Sequence, residues 1–176
     1  MFFTKSGSAA ATEVDMLKED HKKVKALFAE YEEADSRRKA DIAKTTIQEL
    51  EIHADLEERL IYPAIRQEID ADDLMSEAIE EHHLVHVLIA ELKKLKSGDE
   101  KFHAKFTVLG ELVKHHIEEE EGEMLPEAEK SDIDWEELTA QVTKRKEQLR
   151  AKSASPSTNG NRKAPQRTAR ARMKTR

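Results

Sequence analysis

HADLEERLIYP at residues 53–63 and HIEEEEGEMLP at residues 116–126 are two versions of one segment. In each, a His is followed four positions later by a Glu, then by a second Glu, an apolar pair and a Pro ten positions after the His. The stretches upstream repeat as well: DHKKVKALFAE at 20–30 aligns with EHHLVHVLIAE at 81–91. The chain is therefore a duplicated helix pair, and the residue types duplicated at inward positions are His and Glu. Packing alone does not select those types. A metal does, because a buried carboxylate is costly unless it is paired or bound to a cation.

Working outward from these segments, apolar residues recur at helical spacing. A first helix is expected from about Thr12 to Glu33, with Thr12 and Asp15 as a capping-box start. Its apolar stripe holds Val14, Leu17, His21, Val24, Leu27, Phe28 and Tyr31. A second helix starts near Ser36 and carries Ile42, Ile47, Leu50, His53, Leu56, Glu57 and Leu60. Pro63 is expected to kink or end it, because proline lacks a donor and clashes with the preceding turn. The third helix starts near Asp70 to Asp73, carries Leu74, Ala78, Ile79, His82, Val85, His86, Ile89 and Leu92, and stops at Ser97-Gly98. The fourth starts at Asp99, carries Phe102, Phe106, Leu109, Leu112, Val113, His116, Ile117 and Glu120, and ends or bends before Pro126. Asp134 then caps a short last helix with Trp135, Leu138, Val142 and Leu149. Short connections between long amphipathic helices predict antiparallel neighbours. The expected fold is all-α: an up-down-up-down antiparallel four-helix bundle with a short C-terminal extra helix.

Composition bounds the alternatives. The 176 residues suit one domain. Glycine is sparse and Glu, Lys, Leu and Ala are abundant, which favours helices. The absence of Cys excludes disulfides, thiolate metal sites and Cys nucleophiles. The opening MFFTKSGSAAAT lacks the apolar stretch of a signal peptide, and no segment approaches the apolar length of a membrane span. A cytoplasmic protein without membrane attachment is expected. The whole chain carries −7 and residues 151–176 carry +8, so residues 1–150 carry −15. That basic tail is rich in Ser, Pro, Asn and Arg and is expected to be disordered, as are residues 1–11; the bundle is expected over 12–150. The tail has no aromatic residue to stack on bases and the body is acidic, so nucleic-acid binding is not assigned.

Five histidines fall on the apolar stripes: His21, His53, His82, His86 and His116. Residues four apart on a helix share a face, with Cβ atoms about 6 Å apart. His53 and Glu57 therefore point one way, as do His82 and His86, and His116 and Glu120. Five imidazoles, two bridging carboxylates and one bridging oxygen from water supply roughly eleven of the twelve bonds that two octahedral ions take. One position stays open for dioxygen, peroxide, nitric oxide or azide. Mixed imidazole and carboxylate donors suit iron, with manganese second. The bland reading of any one histidine is a satisfied core or surface residue. It weakens where the ligand set is duplicated, and it is weakest for His53 with Glu57 and His116 with Glu120. It is stronger for His86, whose repeat counterpart is Lys25, and it is preferred for His83 and His103. His115, spaced five residues from Glu120, stays an alternative to His116. Glu58 and Glu121 repeat one step around the helix, as surface charge or as partners that orient a ligand imidazole. Tyr62 and Met124 could line the ligand pocket, with packing as the default for both. Without a cation, the two buried glutamates are expected to repel or to take up protons at raised pKa.

The order His21, His53-x3-Glu57, His82-x3-His86, His116-x3-Glu120 resembles the hemerythrin-like, HHE cation-binding family, over roughly Glu13 to Leu149. The resemblance implies a non-heme di-iron centre in a four-helix bundle. Its roles would be dioxygen binding, oxygen or redox sensing, or iron or nitric-oxide handling. It implies terminal imidazole ligands at His21, His53, His82, His86 and His116, and bridging carboxylates at Glu57 and Glu120. Two departures are visible. The oxygen carriers usually have His-x4-Asp on the last helix, where this chain has His116-x3-Glu120. The iron-sulfur-repair branch carries a Cys-containing N-terminal segment, and this chain has no Cys. The expected function is reversible binding or sensing of dioxygen or a related small ligand. A di-iron catalase, peroxidase or nitric-oxide-processing oxidoreductase on the same site is the alternative, and a purely structural helical bundle is a third class.

Overall fold

The computed structural model describes residues 6–70 and 72–154, and every regular element among them is helical. Helix α1 spans Ser6–Glu33 and α2 spans Ser36–Leu56. A π-helical turn, Glu57–Ile61, leads into α3, Tyr62–Glu68. Then come α4, Asp72–Leu92, and α5, Glu100–Glu119. A second π turn, Glu120–Met124, leads into α6, Leu125–Ala128, and α7 spans Trp135–Ala154. No described helix is long and apolar enough to cross a membrane.

Several boundaries differ from the sequence reading. Helix α1 starts at Ser6, so its backbone runs straight through Thr12 rather than beginning there. The alanines at 9–11 are strong helix formers and carry the helix backwards. Helix α4 ends at Leu92, and turns rather than helix lead to Gly98. Helix α7 is not short; it has 20 residues and packs on α1 and α2, so the helix continues past residue 150 to Ala154. The basic tail from residue 155 and the first five residues lie outside the described residues. The Asp134 cap holds as read, and α2 has a cap of its own. Asp35 accepts from the Arg37 and Arg38 amides at the start of α2, and Asp134 accepts from the Glu137 amide at 3.1 Å.

Neither Pro63 nor Pro126 ends its helix. Both follow a π turn in which a peptide N–H reaches five residues back: Tyr62 N–H to the Glu57 carbonyl, and Leu125 N–H to the Glu120 carbonyl. Each proline then lies in the first turn of the resumed helix, where its missing donor is not needed. The turn inserts one residue relative to α spacing. As a result Ile61 and Tyr62 both face inward, and so do Met124 and Leu125. π turns of this kind occur often at functional sites, and here each begins at one of the duplicated glutamates.

The buried apolar residues form two clusters. One holds Leu17, Leu56, Ala78 and Met124, and is closed by Trp135 and Leu138 of α7. The other holds Val24, Leu50, Val85 and Val113. On α1 and α4 the change from one cluster to the other falls at His21 and His82, and on α2 it falls between Leu50 and Ile52, just before His53. On α5 and the π turn after it, the change falls between Ile117 and Met124, where Glu120 lies. The core is thus two apolar layers with a polar layer between them. Gly110 lies in the middle of α5 because a Cβ there would stand 2.9 Å from Phe28 Cδ1 of α1.

Candidate metal centre

The polar layer is assembled from four helices. His21 comes from α1, His53 from the last turn of α2, and Glu57 from the first residue of the π turn after it. His82 comes from α4, His116 from the last turn of α5, and Glu120 from the start of the second π turn. All six are buried. They fall into two groups that share Glu57: His21, His53, Glu57 and Glu120, and Glu57, His82 and His116. The two Glu57 oxygens divide between them. Oε1 lies 3.0 Å from His53 Nε2 and 4.0 Å from His21 Nε2, while Oε2 lies 3.3 Å from His82 Nε2. Glu120 Oε2 lies 3.2 Å from His21 Nε2 and 4.0 Å from His116 Nε2.

These groups fit metal ions better than they fit one another. Both oxygens of Glu57 and both of Glu120 are buried without a hydrogen bond. Four orphaned carboxylate oxygens in a small core are very costly unless a cation is bound. The imidazoles face nitrogen to nitrogen: His21 and His53 Nε2 are 3.0 Å apart, and His82 and His116 Nε2 are 3.2 Å apart. Two metal–imidazole bonds of about 2.1 Å that meet near a right angle place their nitrogens about 3.0 Å apart. The opposite ring nitrogens are held from outside the layer. His21 Nδ1 pairs with Glu121 at 2.8 Å, His82 Nδ1 with Glu58 at 2.9 Å, and His116 Nδ1 with Glu81 at 2.8 Å. Such carboxylate–imidazole pairs fix the ring and raise ligand basicity. His53 Nδ1 has no hydrogen bond.

At Glu57 the protonation pattern runs opposite to the sequence expectation of a raised pKa. Burial is the largest single influence on His21 and His82 and acts downward. The carboxylates outweigh it: Glu120, Glu57 and Glu121 around His21, Glu57 and Glu58 around His82. Both histidines are raised to about 9. Burial acts upward on Glu57, but His53 and His82 hold it well below the usual carboxylate range. His21 and His82, rather than Glu57, take up protons in the absence of a cation. Burial, followed by the charges of Glu57, Glu120 and Glu58, pushes the Tyr62 phenol well above its ordinary value.

Of the seven sequence candidates, six meet and His86 does not. Its side chain is 46 % exposed, and its Nε2 bonds Glu58 at 2.7 Å instead. One helical turn beyond His82, it reaches only the outside of the layer. Tyr62 stands inside, with its hydroxyl 3.2 Å from His82 Nε2 and 3.3 Å from His116 Nε2. From sequence, packing stays the default for Tyr62, because the π turn that rotates it inward is not visible as periodicity. Glu81 was missed too; its only signal was the position next to His82, matching Asp20 next to His21. His116 is the buried one of its pair, and His115 is 59 % exposed, so the x3 spacing is the one that reaches the layer. Met124 packs in the first apolar cluster, His103 stacks on Tyr31, and His83 is exposed. A cavity of about 20 Å³ touches all four buried imidazoles and is otherwise walled by Val24, Leu50, Ala54, Val85, Val113 and Ile117. On the other side of Tyr62 and His82, a cleft of about 570 Å³ includes His83, His86, Arg66 and Met75.

Comparison with known proteins places this geometry. The sequence model described as "Hemerythrin HHE cation binding domain" matches residues 12–128. Among solved structures, a hemerythrin HHE cation binding domain-containing protein from Mycobacterium kansasii superimposes with a TM-score of 0.67 and 28% identity, over 79% of this chain and 87% of that one. No curated protein matches the sequence.

Proposed function

The chain belongs to the hemerythrin HHE cation-binding domain family, and from that premise we propose that it carries a non-heme di-iron centre that reversibly binds or senses dioxygen or a related small ligand. The observation that carries the reading is the set of four buried carboxylate oxygens without hydrogen bonds, ringed by four imidazole Nε2 atoms. In this reading Nε2 of His21 and His53 holds one ion, Nε2 of His82 and His116 the other, and Glu57 and Glu120 bridge them. The Tyr62 phenol takes the place first given to His86, which leaves the donor count at roughly eleven of twelve. Mixed oxygen and imidazole donors favour iron, with manganese second. We read the scaffold as an up-down-up-down antiparallel four-helix bundle. The order of the two apolar clusters supports this, because it reverses from α1 to α2, from α2 to α4, and from α4 to α5. A cytoplasmic setting is part of the same reading.

When bound, the metal pair supplies redox change and a coordination position for a small ligand. The chain supplies the rest. Glu58, Glu81 and Glu121 hold three imidazoles with Nε2 aimed inward. The aliphatic walls of the small cavity exclude bulk water and admit only a ligand of about the size of one water molecule. Tyr62 places a phenol proton beside His82 and His116. That phenol, next to a cleft large enough for a reactant, favours one second reading: an oxidoreductase acting on peroxide or nitric oxide at the same site.

The test is the metal content and optical spectrum of aerobically purified protein, followed by rapid mixing with peroxide and nitric oxide. About two iron ions per chain with charge-transfer bands are expected. One zinc ion per chain, without iron uptake on anaerobic loading, overturns the reading. Turnover of peroxide or nitric oxide at a rate that exceeds simple binding selects the enzyme.

A further inference from the structure

A third group of potential ligands lies outside the polar layer. His115 and Glu119 are four residues apart on α5, the same His-x3-Glu spacing that the centre uses twice. Across from them on α4 stands Glu81. The three offer one donor atom each within 4.8 Å of one another. His115 Nε2 lies 3.2 Å from Glu119 Oε1 and 3.7 Å from Glu81 Oε1.

Glu81 separates this group from an ordinary charged surface. Its side chain is only 10 % exposed. Oε2 is taken by His116 Nδ1, while Oε1 makes no hydrogen bond among the described residues and is turned toward His115. A nine-tenths buried carboxylate thus presents one free oxygen to an imidazole and a second carboxylate. The repeat adds an independent reason. The counterparts of His115 and Glu119 in the first half are Ile52 and Leu56, which are buried in the cluster that α7 closes. Among the described residues no helix covers the same face of the second half, and it carries donor atoms instead of an apolar docking surface.

We propose that Glu81, His115 and Glu119 form an additional, solvent-facing site for a divalent cation such as Mn²⁺ or Fe²⁺. Three protein donors leave the remaining positions to water, so the ion there exchanges readily, unlike ions in the buried layer. Glu81 links the two places, with one oxygen for the outer ion and one for the imidazole of His116. The proposal stands on these three residues and does not depend on how many ions the buried layer holds.

The experiment uses the full-length protein and its H115A/E119Q variant, each titrated with Mn²⁺ while free ion is followed by electron paramagnetic resonance. Tightly held metal is counted separately in both after desalting. His115 and Glu119 belong to neither buried group, so both proteins are expected to retain the same tightly held metal. The wild type is expected to bind one more exchangeable Mn²⁺ than the variant, or to bind it at least about tenfold more tightly. Identical titrations of the two proteins, or no exchangeable ion in the wild type, overturn the proposal. Empty buried sites in both proteins speak against the di-iron reading alone. A thermal melt shows whether the variant is folded, and H115Q is the milder substitution should it not be.

Discussion

The two halves of the centre carry the same His and Glu at the same repeat positions, yet they differ in almost every residue one step further out. In the first half His21 pairs with Glu121, and the residue a turn beyond is Lys25, 3.6 Å from that same carboxylate. In the second half His82 pairs with Glu58, and the residue a turn beyond is His86, 2.7 Å from it. Asp20, just before His21, is bonded to Lys146 of α7. Glu81, just before His82, reaches inward to His116. His53 consequently lacks the outer partner that His116 has. Before the two prolines stand Leu125, which only packs, and Tyr62, which enters the polar layer. The difference teaches that duplication kept the His and Glu types, while divergence around them made the two His/Glu groups chemically unequal. Helix α7 is part of that divergence, because it covers the first half and leaves the second open.

The sharpest way to break the comparison is to remove what the halves share. Glu57 serves both groups, one oxygen each, whereas Glu120 stands closer to His21. Glu57→Ala is therefore expected to lose both ions, and Glu120→Ala at least one, as read by metal analysis after desalting. Metal bound only by the folded state at a hundredfold excess over Kd adds about 2.7 kcal/mol. Stripping it is expected to lower Tm by roughly 5–10 °C.

In the stripped protein the raised histidines set the pH dependence. His21 and His82 stand at about 9 against an ordinary 6.5. Their protonated forms add stability that is complete below about pH 6.5 and is lost as pH rises through about 9. The melting point of the metal-free protein should fall across that window, and the gap to the loaded protein should widen as metal no longer competes with protons. A gap that narrows from pH 6.5 to 9 would show that the imidazoles are not the groups that take the protons.

Tyr62→Phe tests the inequality itself. It should change the visible spectrum and weaken the ion near His82 and His116, leaving roughly one ion firmly held. Leu125→Met, at the matching position, should leave spectrum and metal content unchanged. Glu58→Ala and Glu121→Ala each remove an outer partner and are expected to weaken metal binding by about 10–100-fold. His86→Lys makes the second half resemble the first and should keep both ions; loss of an ion there would return His86 to the ligand set.

The smallest expected effect concerns packing. Phe28 and Gly110 meet across α1 and α5, while their repeat counterparts are Ile89 and Ile47. Gly110→Ile alone overpacks this contact and should cost about 1–3 kcal/mol. Combining it with Phe28→Ile, which copies the other half, should recover part of that in a denaturant melt.

The sequence by itself determined the helical class, the duplication and the ligand types. Each of these is written in local spacing: apolar residues at helical period, His four residues before Glu, and one segment present twice. It also named six side chains that the structure brings together in the polar layer, because a residue on an apolar stripe points into the core. Only the tertiary structure decided the rest. The π turns at Glu57 and Glu120 depend on how a chain accommodates a proline within a packed helix, and they turned Tyr62 inward. His86 lies on the α4 stripe, but a stripe is wider than the polar layer, so it ends at the rim. Helix α7 decided which half is covered. Whether an imidazole or a carboxylate holds the proton depends on summed burial and charge from four helices, and no single segment contains that sum.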